Sequence, residues 1–372
     1  MNARKMIVVV VVAGMLLTGG VVQADVLNLG GTRDANGTWT GLASLETVHV
    51  GDAGNAADMR VMNDGTAGYG AVSYEYNIGK YEVTAGQYTE FLNAVAATDT
   101  YGLYNTKMAD TSISGDLGII GYNAFGCNIQ RSGSSGSYTY SVDADWANRP
   151  ASCVSFWSAC RFTNWLHNGQ PTGGQDADTT ERGAYTLDGY NRGDGRTIQR
   201  SADAKWAIPS EDEWYKAAYY KGGSTNAGYW DYPTSGDTAP GRDMADVSGN
   251  NANYLIAGLG WQPIDSGKYT TVAGEFQSSD SPYGTFDQGG NVLEWNEAII
   301  RQDANDADRD LRGGDFRTSS GYLLASTRDN EGHSGHPTSQ YGDIGFRVVE
   351  VPEPATMAFL ALGGIGLLRR RK

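Results

Sequence analysis

The chain has 372 residues and a mass of 39.8 kDa, room for one large domain or two ordinary ones. Its 22 Tyr, 9 Trp and 9 Phe can build a sizeable core, which excludes wholesale disorder, and 51 Gly against 10 Pro with no collagen-like period point to a loop-rich globular protein. Lys+Arg 28 against Asp+Glu 43 gives a net charge of −15, so phosphate backbones are repelled, nucleic acid is not expected as a partner, and cations are welcome.

Residues 1–24 combine basic Arg4 and Lys5, an apolar run over 6–17, and small residues ending Val22-Gln23-Ala24 before Asp25. That is the pattern of a secretory signal peptide, because Thr18-Gly19-Gly20 interrupts an apolar run too short to span a bilayer comfortably. Residues 25–69 are rich in Gly, Asn and Thr and read as an irregular N-terminal extension or edge strands. Tyr74-Glu75-Tyr76-Asn77-Ile78 alternates as a strand should. Thr84-x-x-Gln87 is a capping box, and Tyr88, Phe91, Leu92 and Val95 form one apolar face of the helix it starts.

Glycine- and serine-rich stretches over 112–140 and 170–200 read as loops around a second helix, which begins at Ser155 and stops at Gly169. A third helix follows Pro209, with Ser210-x-x-Glu213 as a capping box, Trp214, Ala217 and Ala218 inward, and Gly222-Gly223 past its end. Three short helices among short strands and long loops predict an α+β fold. No linker, charge block or internal repeat divides residues 60–350.

The cysteines are Cys127, Cys153 and Cys160, an odd number that leaves at least one thiol unpaired within a monomer. They make neither a CxxC pair nor a zinc pattern, and buried structural thiols are the expected reading. His333-x-x-His336 lies beside Gly335 and Pro337, which disfavour a helix that would give both imidazoles one face, so a solvated loop is expected there. The acid-rich run from Asp303 to Asp310 lacks the glycine and distal glutamate of an EF-hand loop and also reads as a solvated surface loop. Trp230, Tyr232, Trp261 and Tyr322 can line a groove for a sugar or an extended peptide, although any single one is more readily a core residue.

Two resemblances gather these elements. Asn77-Ile78-Gly79-Lys80-Tyr81-Glu82-Val83-Thr84, Arg149-Pro150 through Cys160-Arg161-Phe162, and Ile208-Pro209-Ser210-Glu211-Asp212-Glu213-Trp214 occur in that order. Tyr283-Gly284-Thr285-Phe286-Asp287 with Gly290-Asn291-Val292-Leu293-Glu294-Trp295, then Arg312-Gly313-Gly314 and Gly345-Phe346-Arg347, complete the series. Together they resemble the formylglycine-generating enzyme (sulfatase-modifying factor) domain over residues 70–350. The resemblance implies that family's C-type-lectin-like architecture, loop-rich with short helices and short antiparallel strands. At the other end Val351 and Pro352-Glu353-Pro354 lead into apolar residues 355–368 and a basic Arg369-Arg370-Arg371-Lys372. Residues 351–372 resemble a PEP-CTERM sorting tail, which implies an exosortase-type sorting enzyme as partner, transient membrane association, and a bacterial envelope or extracellular destination. Without the leader and a tail cut at Pro352, 22 basic and 42 acidic residues remain, leaving a more acidic mature protein.

The family's oxidase chemistry rests on a copper-binding cysteine pair a few residues past the Arg-Gly-Gly element, soft sulfur being suited to Cu(I). By residue count those places fall on Thr318 and Leu323, so copper and formylglycine synthesis are not expected. The resemblance also implies calcium, held in one set by Asp287, Glu294 and the carbonyls of Gly290 and Val292. A second set would comprise Asn253, Asp265 and the carbonyls of Tyr254 and Gly267. The expected function is an exported, non-catalytic binding or structural module for an extracellular polysaccharide or peptide. The alternative is an oxidoreductase of the same superfamily with a non-cysteine metal site.

Overall fold

A computed structural model describes residues 44–111, 126–256, 263–265, 267–303, 306–328 and 335–352, with the backbone of three two-residue strands ahead of them. The leader, the tail from residue 353, Trp261 and His333 lie outside the described residues. In chain order the strands and helices are β1 (Val26–Leu27), β2 (Thr32–Arg33), β3 (Trp39–Thr40), β4 (Leu45–Val50), β5 (Tyr76–Gly79), α1 (Ala85–Val95), β6 (Gln130–Ser132) and β7 (Thr139–Ser141). They continue with α2 (Phe156–His167), β8 (Trp206–Ala207), α3 (Glu211–Tyr219), β9 (Leu293–Gln302), β10 (Ala307–Arg312), β11 (Ile344–Gly345) and β12 (Val349–Glu350). Long turns and loops join them, the mixed and loop-rich arrangement that the glycine content predicts.

The principal sheet runs β1-β4-β5-β12-β8, antiparallel throughout. Its last strand in sequence lies between strands from the first and middle parts of the chain: Val349 faces Ile78 on one side and Ala207 on the other. Residues 45–50, expected within an irregular or edge segment, form an inner strand instead. β4 pairs with β5 from Thr47↔Gly79 to Val50↔Tyr76, and its Leu45 and Val50 are buried. A second sheet, β10-β9-β11, holds the long β9–β10 hairpin, with β11 parallel to β9. β6 and β7 form a hairpin within the stretch read from sequence as loop.

All three helices start where their caps place them. Thr84 Oγ1 accepts from the Gln87 amide at 3.3 Å while Gln87 Oε1 accepts from the Thr84 amide at 2.9 Å. Ser210 and Glu213 repeat the exchange at 3.2 and 2.7 Å, and Ser155 caps α2 through the Ser158 amide at 3.1 Å. The apolar face of α1 meets α2 in an aromatic cluster. Phe162 packs 5.3 Å from Phe91 and 5.4 Å from Phe346, and Tyr88 stacks on it at 6.1 Å. Each of these four rings is 0% exposed, so the helices are held to the sheet by burial of whole aromatic side chains, roughly 1.5–3 kcal/mol each.

The acid-rich run is not a uniform solvated loop. Its second half is β10, every residue of which is buried. Asp308 pairs with Arg301, and Asp310 lies 3.3 Å from Arg312 Nε and accepts from Asn296 Nδ2 at 2.6 Å. Sequence composition conceals this because the compensating partners come from the opposite strand and from the same strand two residues on.

Candidate functional site

The segment 287–292 turns sharply before entering β9. Asp287, Gly290 and Asn291 all have positive φ, at 60°, 88° and 61°. A side chain at Gly290 would put its Cβ 2.2 Å from the Asn253 carbonyl, so only glycine permits this approach. The contact is an isolated bridge between Asn253 and Gly290, closed by the Asn291 amide donating to the Asn253 carbonyl at 2.8 Å. It brings the two sequence-predicted donor sets side by side.

Glu82, from the turn before α1, anchors the loop. Its carboxylate accepts from Asn291 Nδ2 at 3.0 Å and from the Val292 amide at 3.3 Å. Glu294 receives Arg347 in a two-pronged pair, Nε to Oε2 and Nη2 to Oε1 both at 2.6 Å, and also accepts from Trp214 Nε1 at 2.8 Å. Arg347 donates as well to the carbonyls of Gly79 and Phe286. Asp287 accepts from the Gly274 amide at 2.7 Å. Burial above all, then the neighbouring Asp287 and Glu294 charges, pushes the Glu82 carboxyl well above its usual range. Burial also raises Asp287 to about 6, against the lowering effect of the Gly274 amide and Arg347. Sequence reading missed Glu82 as a site residue. An acid inside the otherwise apolar Tyr81-Glu82-Val83 was the available signal, but its partners lie 209 and 210 positions away.

The donor chemistry can be tested against calcium. In the first set Glu294 is held on both oxygens by Arg347, and in the second Asp265 is likewise paired with Arg149, so neither of these carboxylates is free in this arrangement. The second set fits better at Asn253. Its Nδ2 donates to the Tyr269 carbonyl at 2.6 Å and to Asn291 Oδ1 at 3.2 Å, while its buried Oδ1 accepts from no described residue. Asp265 is paired with Arg149, and Gly267 takes a left-handed φ of 83°. Tyr254 contributes its hydroxyl to the Pro240 carbonyl at 2.6 Å. Among the described residues no three His, Cys, Asp or Glu side chains gather as a metal cage.

Thr318 and Leu323 are neighbours in space, each 3.0 Å from the point where a Cβ on Gly314 would stand. Both are committed to the scaffold. Thr318 Oγ1 accepts from the Asp315 amide at 2.9 Å, and Leu323 is 0% exposed among Tyr232, Ala252 and Tyr254. The three cysteines lie elsewhere, all buried with free thiols, and burial raises the pKa of each. Of the groove aromatics, Tyr232 is in the core, Tyr322 is half-buried, and Trp230 is half-buried with Lys221 Nζ 4.1 Å from its ring centre. His336 bonds Asp306 at 3.0 Å through Nε2 and Thr338 Oγ1 at 2.7 Å through Nδ1. Among the described residues no helix is long and apolar enough to cross a membrane.

Comparison with known proteins places the chain in a family. The model of the sulfatase-modifying factor enzyme 1-like domain matches residues 49–351, and that of the PEP-CTERM protein-sorting motif matches 350–372. No curated protein matches the chain. Similar solved structures include CarF, at 19% identity and a TM-score of 0.48 over 83% of this chain and 99% of that one. Variable protein 1 of Treponema denticola is 17% identical, with a TM-score of 0.49 over 89% and 99%. PvdO of Pseudomonas aeruginosa is 17% identical, with a TM-score of 0.47 over 83% and 95%. The sorting motif indicates export to the bacterial cell envelope and recognition by an exosortase-type system. Its family match covering most of the sequence, the chain belongs to the sulfatase-modifying factor (formylglycine-generating enzyme-like) family and ends in a PEP-CTERM motif.

Proposed function

We propose that this is an envelope-associated, non-catalytic binding or structural module that keeps the family scaffold without its copper oxidase chemistry. The observation that carries the reading is the filling of the two thiol places by Thr318 and Leu323. A hydroxyl bonded to Asp315 and a fully buried alkyl group neither bind Cu(I) nor exchange with a substrate thiol. The buried cysteines cannot substitute, since desolvation opposes the thiolate that such chemistry needs. The ligand class in this reading is an extracellular polysaccharide or extended peptide, with the half-buried faces of Trp230 and Tyr322 supplying stacking surface. The test is incubation of the exported protein with copper, a reductant, oxygen and a Cys-x-Pro-x-Arg peptide. No aldehyde-bearing product is expected; turnover lost on replacing Cys153 or Cys160 overturns the reading.

The proposal includes a structural calcium ion at Asn253, and what supports it is the buried Asn253 Oδ1. A ligand bound only by the native state stabilises it by mass action. Chelation should therefore lower the melting temperature by a few degrees, and Asn253→Ala should remove that sensitivity. A melting curve indifferent to chelator and to added calcium removes the ion from the account.

A further inference from the structure

Cys127 and Cys153 are 2% and 1% exposed, in the main apolar core, which also holds Tyr104 and Cys160. Cys127 Sγ lies 3.7 Å from the carbonyl oxygen of Ser152, the residue joined directly to Cys153. The Cys127 sulfur therefore reaches the peptide unit that carries Cys153. Cys153 takes a left-handed φ of 61°, uncommon for a residue with a side chain, and is pinned by its amide donating to the Tyr341 carbonyl at 2.9 Å. Cys160 lies within α2, with Arg309, Glu297 and Arg161 as its charged neighbours.

We propose that Cys127 and Cys153 form a disulfide in the exported protein and that Cys160 remains a thiol. The sorting motif sends the chain to a compartment where thiols are oxidised rather than kept reduced. Because both sulfurs are buried in the fold, the bond forms before the core closes. The Cys127 thiolate attacks a disulfide-bearing protein oxidant of the envelope, giving a mixed disulfide and releasing one oxidant thiol. The Cys153 thiolate then attacks the Cys127 sulfur and releases the second. Two S–H bonds are lost and one S–S bond forms, the two electrons reducing the oxidant's disulfide to a dithiol. The closed loop carries the β6–β7 hairpin and ties it to the turn preceding α2.

The experiment uses full-length protein recovered from the envelope fraction, so that a failure of export is read separately from a failure of the bond. Denaturation with a thiol-alkylating reagent and no reductant should label Cys160 alone. Digestion should yield a peptide linking Cys127 to Cys153, about 2 Da lighter than its reduced halves. Reduction should lower the melting temperature by about 5 °C in the wild type and in Cys160→Ser alike, and should leave Cys127→Ser unmoved. Three labelled cysteines in envelope protein, or a bridge that includes Cys160 or joins two chains, overturns the assignment.

Discussion

The α1–α2 layer and the base of the β9–β10 hairpin, Leu293 to Asn296 with β10, are both buried and are stabilised in different ways. The helical layer is built on an aromatic cluster of Tyr88, Phe91, Phe162 and Phe346, although α2 also buries Arg161 against Glu181. The hairpin and its surroundings bury arginines against carboxylates: Arg347 on Glu294, Arg312 on Glu211 and Asp310, Arg317 on Asp343. Apolar burial is non-directional and tolerates repacking. A buried ion pair returns its desolvation cost only while both partners are present and well aligned. The hairpin side should therefore be brittle where the helical side is forgiving.

The largest test of that contrast is Arg347→Ala. Removing the guanidinium leaves Glu294 without its partner beside Glu82 and Asp287, and the expected loss is about 3–5 kcal/mol in denaturant unfolding. Arg347→Lys should recover only part of it, because an ammonium cannot reproduce the fork to Glu294 while also reaching the Gly79 and Phe286 carbonyls. Phe162→Leu, on the aromatic side, should cost about 1.5 kcal/mol or less. Equal losses for Arg347→Lys and Phe162→Leu would erase the distinction between the two regions.

The same contrast marks what the sequence shows and what it hides. Caps and helical faces are local: Thr84 with Gln87, Ser210 with Glu213, and the 88-91-92-95 stripe need only nearby residues to be read. The family motifs likewise mark Asp287, Glu294 and Arg347. Pairing partners are not local. Nothing near Glu294 names Arg347 as its counter-ion, 53 positions on, and nothing near Asp310 reveals that it lies in a buried strand. Composition reads such acids as surface, and the β6–β7 hairpin escapes notice because its residues lack a clear apolar alternation.

A smaller effect should appear in the pH dependence. Asp287 is raised to about 6 and Asp310 to about 7, in both cases chiefly by burial. A carboxyl whose folded-state pKa exceeds its unfolded value binds a proton more readily when folded. Its contribution to stability therefore grows as pH falls from about 7 toward 4 and is lost as pH rises through that window. Asp287→Asn removes the ionisation while keeping an oxygen for the Gly274 amide. It should stabilise by on the order of 1 kcal/mol at pH 7.5, discounted for partial exposure, with little effect at pH 5. A loss of stability at pH 7.5 would instead mean that the ionised carboxylate is matched by a cation.

The smallest expected effect tests the local side of the comparison. Thr84→Ala deletes the hydroxyl that accepts from the Gln87 amide at the start of α1, and Ser210→Ala does the same at Glu213 in α3. Each should cost about 1 kcal/mol, the ordinary value of an N-cap. The two differ in what stands behind the cap. Gln87 returns a neutral bond to the Thr84 amide, whereas Glu213 also binds the charged Arg200 at 2.8 Å and accepts from Tyr74 at 2.6 Å. Arg200 and Tyr74 hold Glu213 in place without Ser210, so its second bond, to the Ser210 amide at 2.7 Å, survives the substitution. Ser210→Ala should therefore cost no more than Thr84→Ala, and Glu213→Gln should cost more than either, because it removes the charge that Arg200 faces. If Glu213→Gln proves the mildest of the three, α3 is held by its cap alone and the ion-pair network around it contributes nothing measurable.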